Sequence, residues 1–144
     1  HENIEVFYKK LPTYNPQMTH GHKRKVAKVS YIRESDGDSC YGREIRNTSY
    51  DSTDRYPLDV QIFGNADQSN KIHNTQKPVD IYRYFMRTYT NERETVLDST
   101  AGSMTCAIAG IDENRKVICI EKDKQIFELG KNRVVEYLKE NNII

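Results

Sequence analysis

The sequence predicts an α/β fold, with a βαβ unit in its second half and an irregular region of short strands and loops in its first half. Two short apolar runs, around Val96 and Ile118, have the length of buried strands. Segments with helical periodicity lie before, between and after these runs, so strands and helices alternate. Before Pro78, proline and glycine recur too often for a long helix or strand.

The length and composition fit one small domain that is poor in apolar residues. Of the 144 residues, 36% are hydrophobic and 30% are charged, and the 22 basic and 21 acidic residues nearly cancel, which disfavours a strongly charged disordered tail. No apolar run reaches the roughly 18 residues that a membrane span needs. The three cysteines, Cys40, Cys106 and Cys119, form no CxxC pair. We therefore expect a soluble cytoplasmic protein with reduced thiols.

The first half offers room for three short strands, over residues 4–9, 26–33 and 58–63. The first of these follows His1 almost at once, as though the sequence begins inside an element, so we expect a further N-terminal part. Residues 64–76 are polar and predict a loop.

The second half is more regular. A helix is predicted over 79–90, because Ile81, Phe85 and Tyr89 recur at four-residue spacing and Pro78 suits a first helical turn. A strand, a turn of small residues, a helix, a strand and a helix then follow over residues 95–98, 99–103, 106–111, 116–121 and 124–140. Because uninterrupted apolar strands are typical of parallel strands, we expect both faces of this sheet to be covered.

Acidic and small residues follow the two predicted parallel strands, at the edge where α/β sheets bind ligands. Asp98 ends the first strand, Gly102 lies in the turn after it, and Glu121 ends the second strand. The 23 residues from Asp98 to Glu121 are close to the roughly 20 that precede the ribose-binding acid of dinucleotide folds. These residues suggest a nucleoside-type cofactor. The alternative is that both acids only cap strand ends, since the turn has no GxGxxG pattern.

Basic residues are concentrated near the start. Residues 9–33 contain seven Lys or Arg and no acidic residue, although the formal net charge of the whole chain is only +1. Six of the ten tyrosines lie between residues 8 and 56, interleaved with further arginines. Bases that neutralise phosphates, beside Tyr, Asn and Arg for base edges, favour duplex DNA as a partner. The alternative is a solvated basic face.

Three segments carry a family resemblance. They are Thr75-Gln76-Lys77-Pro78-Val79, Glu94 to Ser103 (ETVLDSTAGS) and Ile118 to Asp123 (ICIEKD). In this order they resemble the C-terminal portion of the DNA amino-methyltransferases of the permuted β class, found in phages and restriction-modification systems. Members transfer methyl from S-adenosylmethionine (AdoMet) to adenine N6 or cytosine N4. The resemblance implies a partial Rossmann-like methyltransferase sheet and AdoMet as the cofactor.

Site residues follow from the resemblance position by position. The residues that it implies for AdoMet binding are Lys77, Pro78, Asp98, Thr100, Gly102, Ser103 and Glu121. The opening His1 to Tyr8 resembles the family segment just ahead of the target-recognition region. The implied organisation is the end of a catalytic-domain strand (1–8), a target-recognition region (9–72) and an AdoMet-binding βαβ portion (73–144).

Within the recognition region, two groups of residues are expected to have different roles. We expect Lys23, Arg24 and Lys25 to contact phosphates and to supply much of the affinity. We expect Tyr41, Arg43 and Arg46 to affect sequence preference instead, because only side chains that reach base edges discriminate between sites.

The chain departs from the family pattern in two places. Met104 stands where the turn usually has a second glycine, and a side chain there is expected to crowd the cofactor or to alter the backbone. The Asp/Asn-Pro-Pro-Tyr/Phe motif, which holds the flipped base, is absent, since none of the four prolines adjoins another. In the β class this motif precedes the recognition region. The resemblance therefore implies no catalytic residue in this chain, which by itself would be inactive.

Two functions stay open on the sequence. One is the recognition and cofactor-binding part of a site-specific DNA methyltransferase, whose missing N-terminal catalytic half or partner subunit supplies the catalytic motif. The other is a non-catalytic DNA- or protein-binding module, such as a phage decoy or regulator. A sheet without its remaining strands exposes an edge, so we expect self-association or pairing with a partner. No metal site is expected, because His20 and His22 have no third ligand nearby in sequence.

Overall fold

The computed structural model describes residues 2–33, 44–64, 72 and 76–144. It divides the chain into two compact units, one formed by residues 1–17 with 60–144 and the other by residues 18–59. The assignment of target recognition to residues 9–72 concerns function and stays a prediction.

The smaller unit contains an antiparallel hairpin of β1 (Lys25–Arg33) and β2 (Glu44–Ser52). The register places Val26 opposite Asp51 and Ala27 opposite Tyr50. β1 confirms the strand predicted over 26–33. β2 is absent from the sequence prediction because only two of its nine residues, Ile45 and Tyr50, are apolar. Its ladder of hydrogen bonds to β1 makes it a strand despite its polar sequence.

Two strand predictions are wrong. Residues 4–9 and 58–63 lie outside all strands of the described part of the chain. Their apolar alternation does not form a buried face, since Phe7 is 87% exposed and Ile62 is 93% exposed. A strand exists only where a ladder forms, and apolar alternation alone does not provide one. Most of the loop predicted over 64–76 lies outside the described residues.

The larger unit contains the βαβ unit that the sequence predicts. Its elements are α1 (Val79–Tyr89), β3 (Thr95–Asp98), α2 (Thr105–Asp112), β4 (Lys116–Cys119) and α3 (Lys124–Glu140). β3 and β4 are parallel, with Val96 opposite Val117 and Asp98 opposite Cys119. The α/β prediction is thus confirmed, and the bounds of these elements differ from the prediction by two residues at most.

The core of this unit lies between the sheet and the first two helices. Met86 of α1 and Cys106 and Ala109 of α2 are buried, with Val96 and Val117 of the sheet packed against them. Gly110 lets α2 approach β4 closely, because a Cβ atom there would lie 2.0 Å from Cγ2 of Val117.

The opposite face of the same sheet is open within the described residues. Leu97 is 61% exposed and Ile118 is 53% exposed. The expectation that both faces are covered is therefore wrong for the described part of the chain. Among the described ranges, no helix combines the length and the apolar character that a membrane crossing requires.

Candidate functional site

The carboxyl ends of β3 and β4 meet at one edge of the sheet, where the chain forms a tight turn over residues 99–104. Backbone hydrogen bonds tie this turn to the strand ends: Ile120 N donates to Asp98 O at 2.8 Å, and Ala101 N donates to Ile120 O at 2.9 Å. Gly102 has a φ of +50°, in the left-handed region that favours glycine. The turn is therefore fixed beside the ends of both strands.

Glu121 links the two strand ends. Its Oε2 accepts a hydrogen bond from Gly102 N at 2.8 Å, and its Oε1 accepts one from Asp123 N at 2.9 Å. The bonds from Asp123 and Gly102 lower the pKa of Glu121 below its ordinary value, because both N–H groups favour the charged carboxylate. A carboxylate has about four lone-pair sites, so this one keeps acceptor capacity for a diol.

Asp98 shapes the start of the turn. Its Oδ1 accepts a hydrogen bond from Thr100 N at 3.1 Å, while the side chain of Thr100 is exposed. Burial raises the pKa of Tyr82 in α1 to about 12, and the charge of Asp98 adds to this rise. Tyr82 is therefore a neutral hydroxyl near this edge at physiological pH.

Met104 has a left-handed backbone conformation, in the region that favours glycine. Its φ is +56° and its ψ is +30°, in the left-handed region. Its side chain is buried, at 4% exposure, and lies under the turn against Gly130 of α3. A non-glycine residue adopts this region only at a cost in strain, and the expected effect of Met104 on the cofactor or on the backbone stays a prediction. The side chain is held in the protein interior and not on the solvent side of the turn.

Ser103 also faces inward. It is 4% exposed, and its Oγ lies 3.1 Å from Oγ1 of Thr105. Nη1 of Arg133, in α3, donates to Ser103 O at 2.8 Å and to Thr105 Oγ1 at 3.0 Å. Burial lowers the pKa of Arg133. The sequence-predicted contact of Ser103 with a cofactor stays a prediction, and its hydroxyl is engaged inside the fold.

Lys77 and Pro78 lie at the start of α1. Pro78 is the N-cap residue, with φ −59° and ψ 141°, and therefore lies directly before the first helical turn. Lys77 Nζ forms an ion pair with Oε1 of Glu2, and this hydrogen bond lowers the pKa of Glu2. Among the hydrogen bonds of the described residues, none joins Lys77 to Asp98, Gly102 or Glu121.

The sequence analysis did not identify Gly130 and Arg133 of α3, which contact the turn after β3. Gly130 allows a close approach of α3, since a Cβ atom there would lie 2.6 Å from Met104 Cγ and 2.9 Å from Gly102 O. A glycine in the middle of a helix, where it costs up to about 1 kcal/mol, was a usable signal. Nothing in the local sequence distinguishes Arg133 from the other basic residues of α3.

The three expected phosphate-binding residues are consecutive in the sequence but have different environments in the smaller unit. Arg24 Nε donates to Asp51 Oδ1 at 2.8 Å and its Nη2 donates to Oδ2 at 2.7 Å. The hydrogen bond to Asp51 raises the pKa of Arg24. Lys25 begins β1 and is exposed, and the carbonyl of Lys23 accepts a hydrogen bond from Arg55 Nη2 at 2.5 Å. Arg24 is thus fixed in an ion pair.

The expected base-reading residues lie mostly in the undescribed part of the chain. Tyr41 and Arg43 are outside the described residues, and Arg46 lies in β2 opposite Tyr31, with its side chain outside the described part. His20 Nδ1 lies 2.8 Å from Oδ1 of Asp54. Among the described residues no three potential metal ligands come together.

Comparison with known proteins gives one family. The profile of the DNA methylase family of N6/N4 methyltransferases matches residues 1–132. The type II methyltransferase M2.MboI of Moraxella bovis is 33% identical over 77 residues, which cover 54% of this chain and 28% of that protein. The type II methyltransferase M.HindIII of Haemophilus influenzae is 36% identical over 62 residues, 43% of this chain and 20% of that protein. The chain spans less than a third of the length of either relative.

Solved structures give more limited similarities. A crystal structure of M1.HpyAVI aligns with a TM-score of 0.40 at 32% identity, over 42% of this chain and 30% of that chain. A crystal structure of an M1.HpyAVI–SAM complex aligns with a TM-score of 0.47 at 21% identity, over 64% of this chain and 52% of that chain.

Proposed function

Because this chain belongs to the N6/N4 DNA methylase family, we propose that it is the recognition and AdoMet-binding part of a site-specific DNA methyltransferase. The observation that carries the proposal is the hydrogen bond from Gly102 N to Glu121. It joins the turn after the first parallel strand to the acid after the second, at the edge where α/β sheets bind nucleoside ligands.

The residues at this edge fit AdoMet. Glu121 is an ionised carboxylate that still has acceptor sites for a ribose diol. Gly102 carries no side chain over the turn, and the side chain of Met104 is buried beneath it. At the start of α1, the Lys77 ammonium, which pairs with the carboxylate of Glu2, is proposed to bind the carboxylate of the methionine moiety. When bound, AdoMet supplies the methyl group, and the proposed role of these residues is to bind and orient it.

Duplex DNA is the proposed second ligand, with the basic residues of the smaller unit in contact with it. Lys23 and Lys25 remain the proposed phosphate contacts, and Tyr41, Arg43 and Arg46 the proposed base contacts. Arg24, expected from the sequence to contact phosphate, is already paired with the carboxylate of Asp51, which disfavours a phosphate beside it. The methylated atom is adenine N6 or cytosine N4, and action on DNA implies a cytoplasmic location.

Catalysis is proposed to need a further polypeptide portion. The sequence has no pair of adjacent prolines, and therefore no Asp/Asn-Pro-Pro-Tyr/Phe motif to hold a flipped base. The exposed sheet face at Leu97 and Ile118 supports a further portion that packs there, as does the small share of its relatives that this chain spans. That portion is the rest of a longer chain or a partner subunit.

Calorimetric titration with AdoMet tests the cofactor part. The chain should bind AdoMet, and Glu121→Ala should weaken binding about fivefold or more, because it removes an acceptor and leaves a bound hydroxyl unpaired. Glu128→Ala, on an exposed part of α3, is the matched control and should bind like the wild type. A folded wild-type chain that gives no binding heat at millimolar AdoMet, and still binds duplex DNA, would favour the non-catalytic module.

A further inference from the structure

The ion pair of Arg24 and Asp51 uses one side of the guanidinium group. Nε and Nη2 of Arg24 donate to the two carboxylate oxygens of Asp51, at 2.8 Å and 2.7 Å. An arginine has five N–H donors in a planar fork. The outer edge, formed by Nη1 and the second N–H of Nη2, takes part in no hydrogen bond within the described part of the chain. A second bidentate acceptor therefore fits at this edge.

The pair lies on the solvent-facing side of the hairpin. Asp51 is opposite Val26, and Lys28 is opposite Ser49. Strand alternation therefore places the side chains of these four strand residues on the same face of the hairpin. Val26 is 62% exposed, and the side chains of Arg24 and Asp51 are 69% and 48% exposed. The other face, with Ala27 opposite Tyr50, is partly buried, and Tyr50 Oη donates to Asp54 O at 2.5 Å. The first face is the one free to meet a ligand.

The net charge of the smaller unit gives little general attraction to a polyanion such as DNA. Residues 18–59 contain eight Lys or Arg and seven Asp or Glu, so their formal charges nearly cancel. An exposed ion pair also adds little to stability. The Arg24–Asp51 pair is better explained by what it does to the guanidinium, which it holds in one orientation with its outer edge directed away from Asp51.

We propose that Arg24, held in place by Asp51, reads a guanine in the major groove of duplex DNA, an inference that rests on the proposed DNA-binding function. The major groove admits a two-stranded ribbon, and guanine presents the acceptors O6 and N7, which match the outer edge of an arginine fork. Asp51 lowers the entropy lost when Arg24 binds. Its negative charge also disfavours a phosphate in the same place, which directs Arg24 to bases.

Selection from a pool of randomised duplexes tests the proposal. The wild-type chain should enrich one position in guanine. Arg24→Lys and Asp51→Asn should each reduce that guanine preference by about fivefold or more, because each removes the fixed fork. Lys25→Ala, at the start of β1 and one residue from Arg24, is the matched control: it should weaken binding to all duplexes alike and leave the preference unchanged. Far-UV circular dichroism should show all variants folded, because the pair is exposed.

A modified base sharpens the test. Replacing the enriched guanine by 7-deazaguanine removes the N7 acceptor, and it should weaken wild-type binding but have little further effect on Arg24→Lys. Asp51→Glu, which keeps the carboxylate, should retain more of the preference than Asp51→Asn. A guanine preference that survives in both Arg24→Lys and Asp51→Asn would overturn the proposal, and so would wild-type binding to duplexes without any guanine preference. A wild-type chain that binds no duplex would refute both this inference and the DNA-binding part of the proposed function.

Discussion

Glu121 is the residue at which local geometry and charge are most closely linked. The hydrogen bonds from Asp123 and Gly102 lower its pKa in the folded chain below its ordinary value of 4.5. A carboxylate with a lowered pKa contributes stability that is present above its unfolded pKa and is lost as the pH falls through the folded pKa. This contribution is therefore complete at neutral pH and disappears in acid.

Replacing Glu121 by Gln should remove that pH dependence. The free energy of unfolding of the wild type should exceed that of Glu121→Gln at pH 7, and the difference should shrink as the pH falls below about 4.5. Urea unfolding between pH 3 and pH 7 measures it. Glu128→Gln, in α3, is the control, because it also removes one negative charge. A difference that is constant over the whole pH range would contradict the assignment of these hydrogen bonds to the charged form.

At Met104, backbone strain opposes the burial of the side chain. Its left-handed backbone costs about 1–2 kcal/mol relative to a glycine. Its buried side chain is worth more, since truncating a buried methionine typically costs about 2–5 kcal/mol.

Met104→Gly should accordingly lower the free energy of unfolding by about 1–3 kcal/mol, although it restores the glycine usual in the family. Denaturant unfolding gives the value. Met104→Leu keeps a side chain of similar volume and should cost less than about 1.5 kcal/mol. If Met104→Gly were instead more stable than the wild type, strain would outweigh packing at this position.

At the scale of elements, Gly130 determines how closely α3 approaches the turn after β3. In Gly130→Ala, the new Cβ atom would lie 2.6 Å from Met104 Cγ and 2.9 Å from Gly102 O. The second contact involves backbone, so the helix or the turn must shift. Overpacking of this kind costs about 1–3 kcal/mol, and the shift should also weaken AdoMet binding, because Gly102 N bonds to Glu121.

Unfolding and AdoMet titration of Gly130→Ala measure both effects. Gly64→Ala is the matched control, because a Cβ atom there has no atom within 4 Å. Adding Met104→Ala to Gly130→Ala removes only the side-chain contact, so AdoMet affinity should stay below that of the wild type. Normal affinity in Gly130→Ala would show that the turn does not depend on this approach.

Arg55 is a centre of hydrogen bonding in the hairpin unit. Its guanidinium donates to Tyr50 Oη, Ser52 O, Asp54 O and Lys23 O, at distances from 2.5 to 3.2 Å. Arg55 therefore joins the end of β2 to the residues before β1.

Arg55→Lys should destabilise this unit, because an ammonium cannot make the same set of bonds. Hydrogen exchange of the β1 and β2 amides should become about tenfold faster or more, since a hydrogen bond to a charged group contributes about 1.5–3 kcal/mol. Arg24→Lys, at an exposed pair, should change exchange much less. Unchanged exchange in Arg55→Lys would mean that the β ladder suffices.

For the whole molecule, buried residues are unevenly divided between the two units. Among the residues whose side chains the structure describes, every buried one lies between Met86 and Gly130, in the larger unit. In 18–59 the side chains of residues 29 and 31–48 lie outside the described part, and none of the others is buried. Low burial of apolar side chains is typical of segments that open first.

Limited proteolysis should therefore cut within residues 18–59 before it cuts within α1, α2 or α3. Amide exchange should likewise be faster in β1 and β2 than in β3 and β4. Equal protection in both units would contradict the link between burial and local stability in this chain. Addition of a DNA duplex should slow cleavage of the 18–59 segment if that segment binds DNA as proposed.

The sequence by itself determined the elements whose formation depends on local pattern. Helical spacing identified α1, short apolar runs identified β3 and β4, and the residues that follow parallel strands necessarily meet at one edge. The sequence alone therefore sufficed to place Asp98, Gly102 and Glu121 together, because the order strand, helix, strand makes the two strands parallel and brings their carboxyl ends to one edge.

Only the tertiary structure decided which segments pair and which approach closely. β2 is a polar strand because β1 lies beside it, whereas the apolar alternation of residues 4–9 does not make a strand in the described part of the chain. The inward direction of Met104 depends on a glycine 26 residues away, and the orientation of Arg24 depends on an aspartate 27 residues away. Such contacts depend on the distance between residues far apart in sequence, which no local pattern contains.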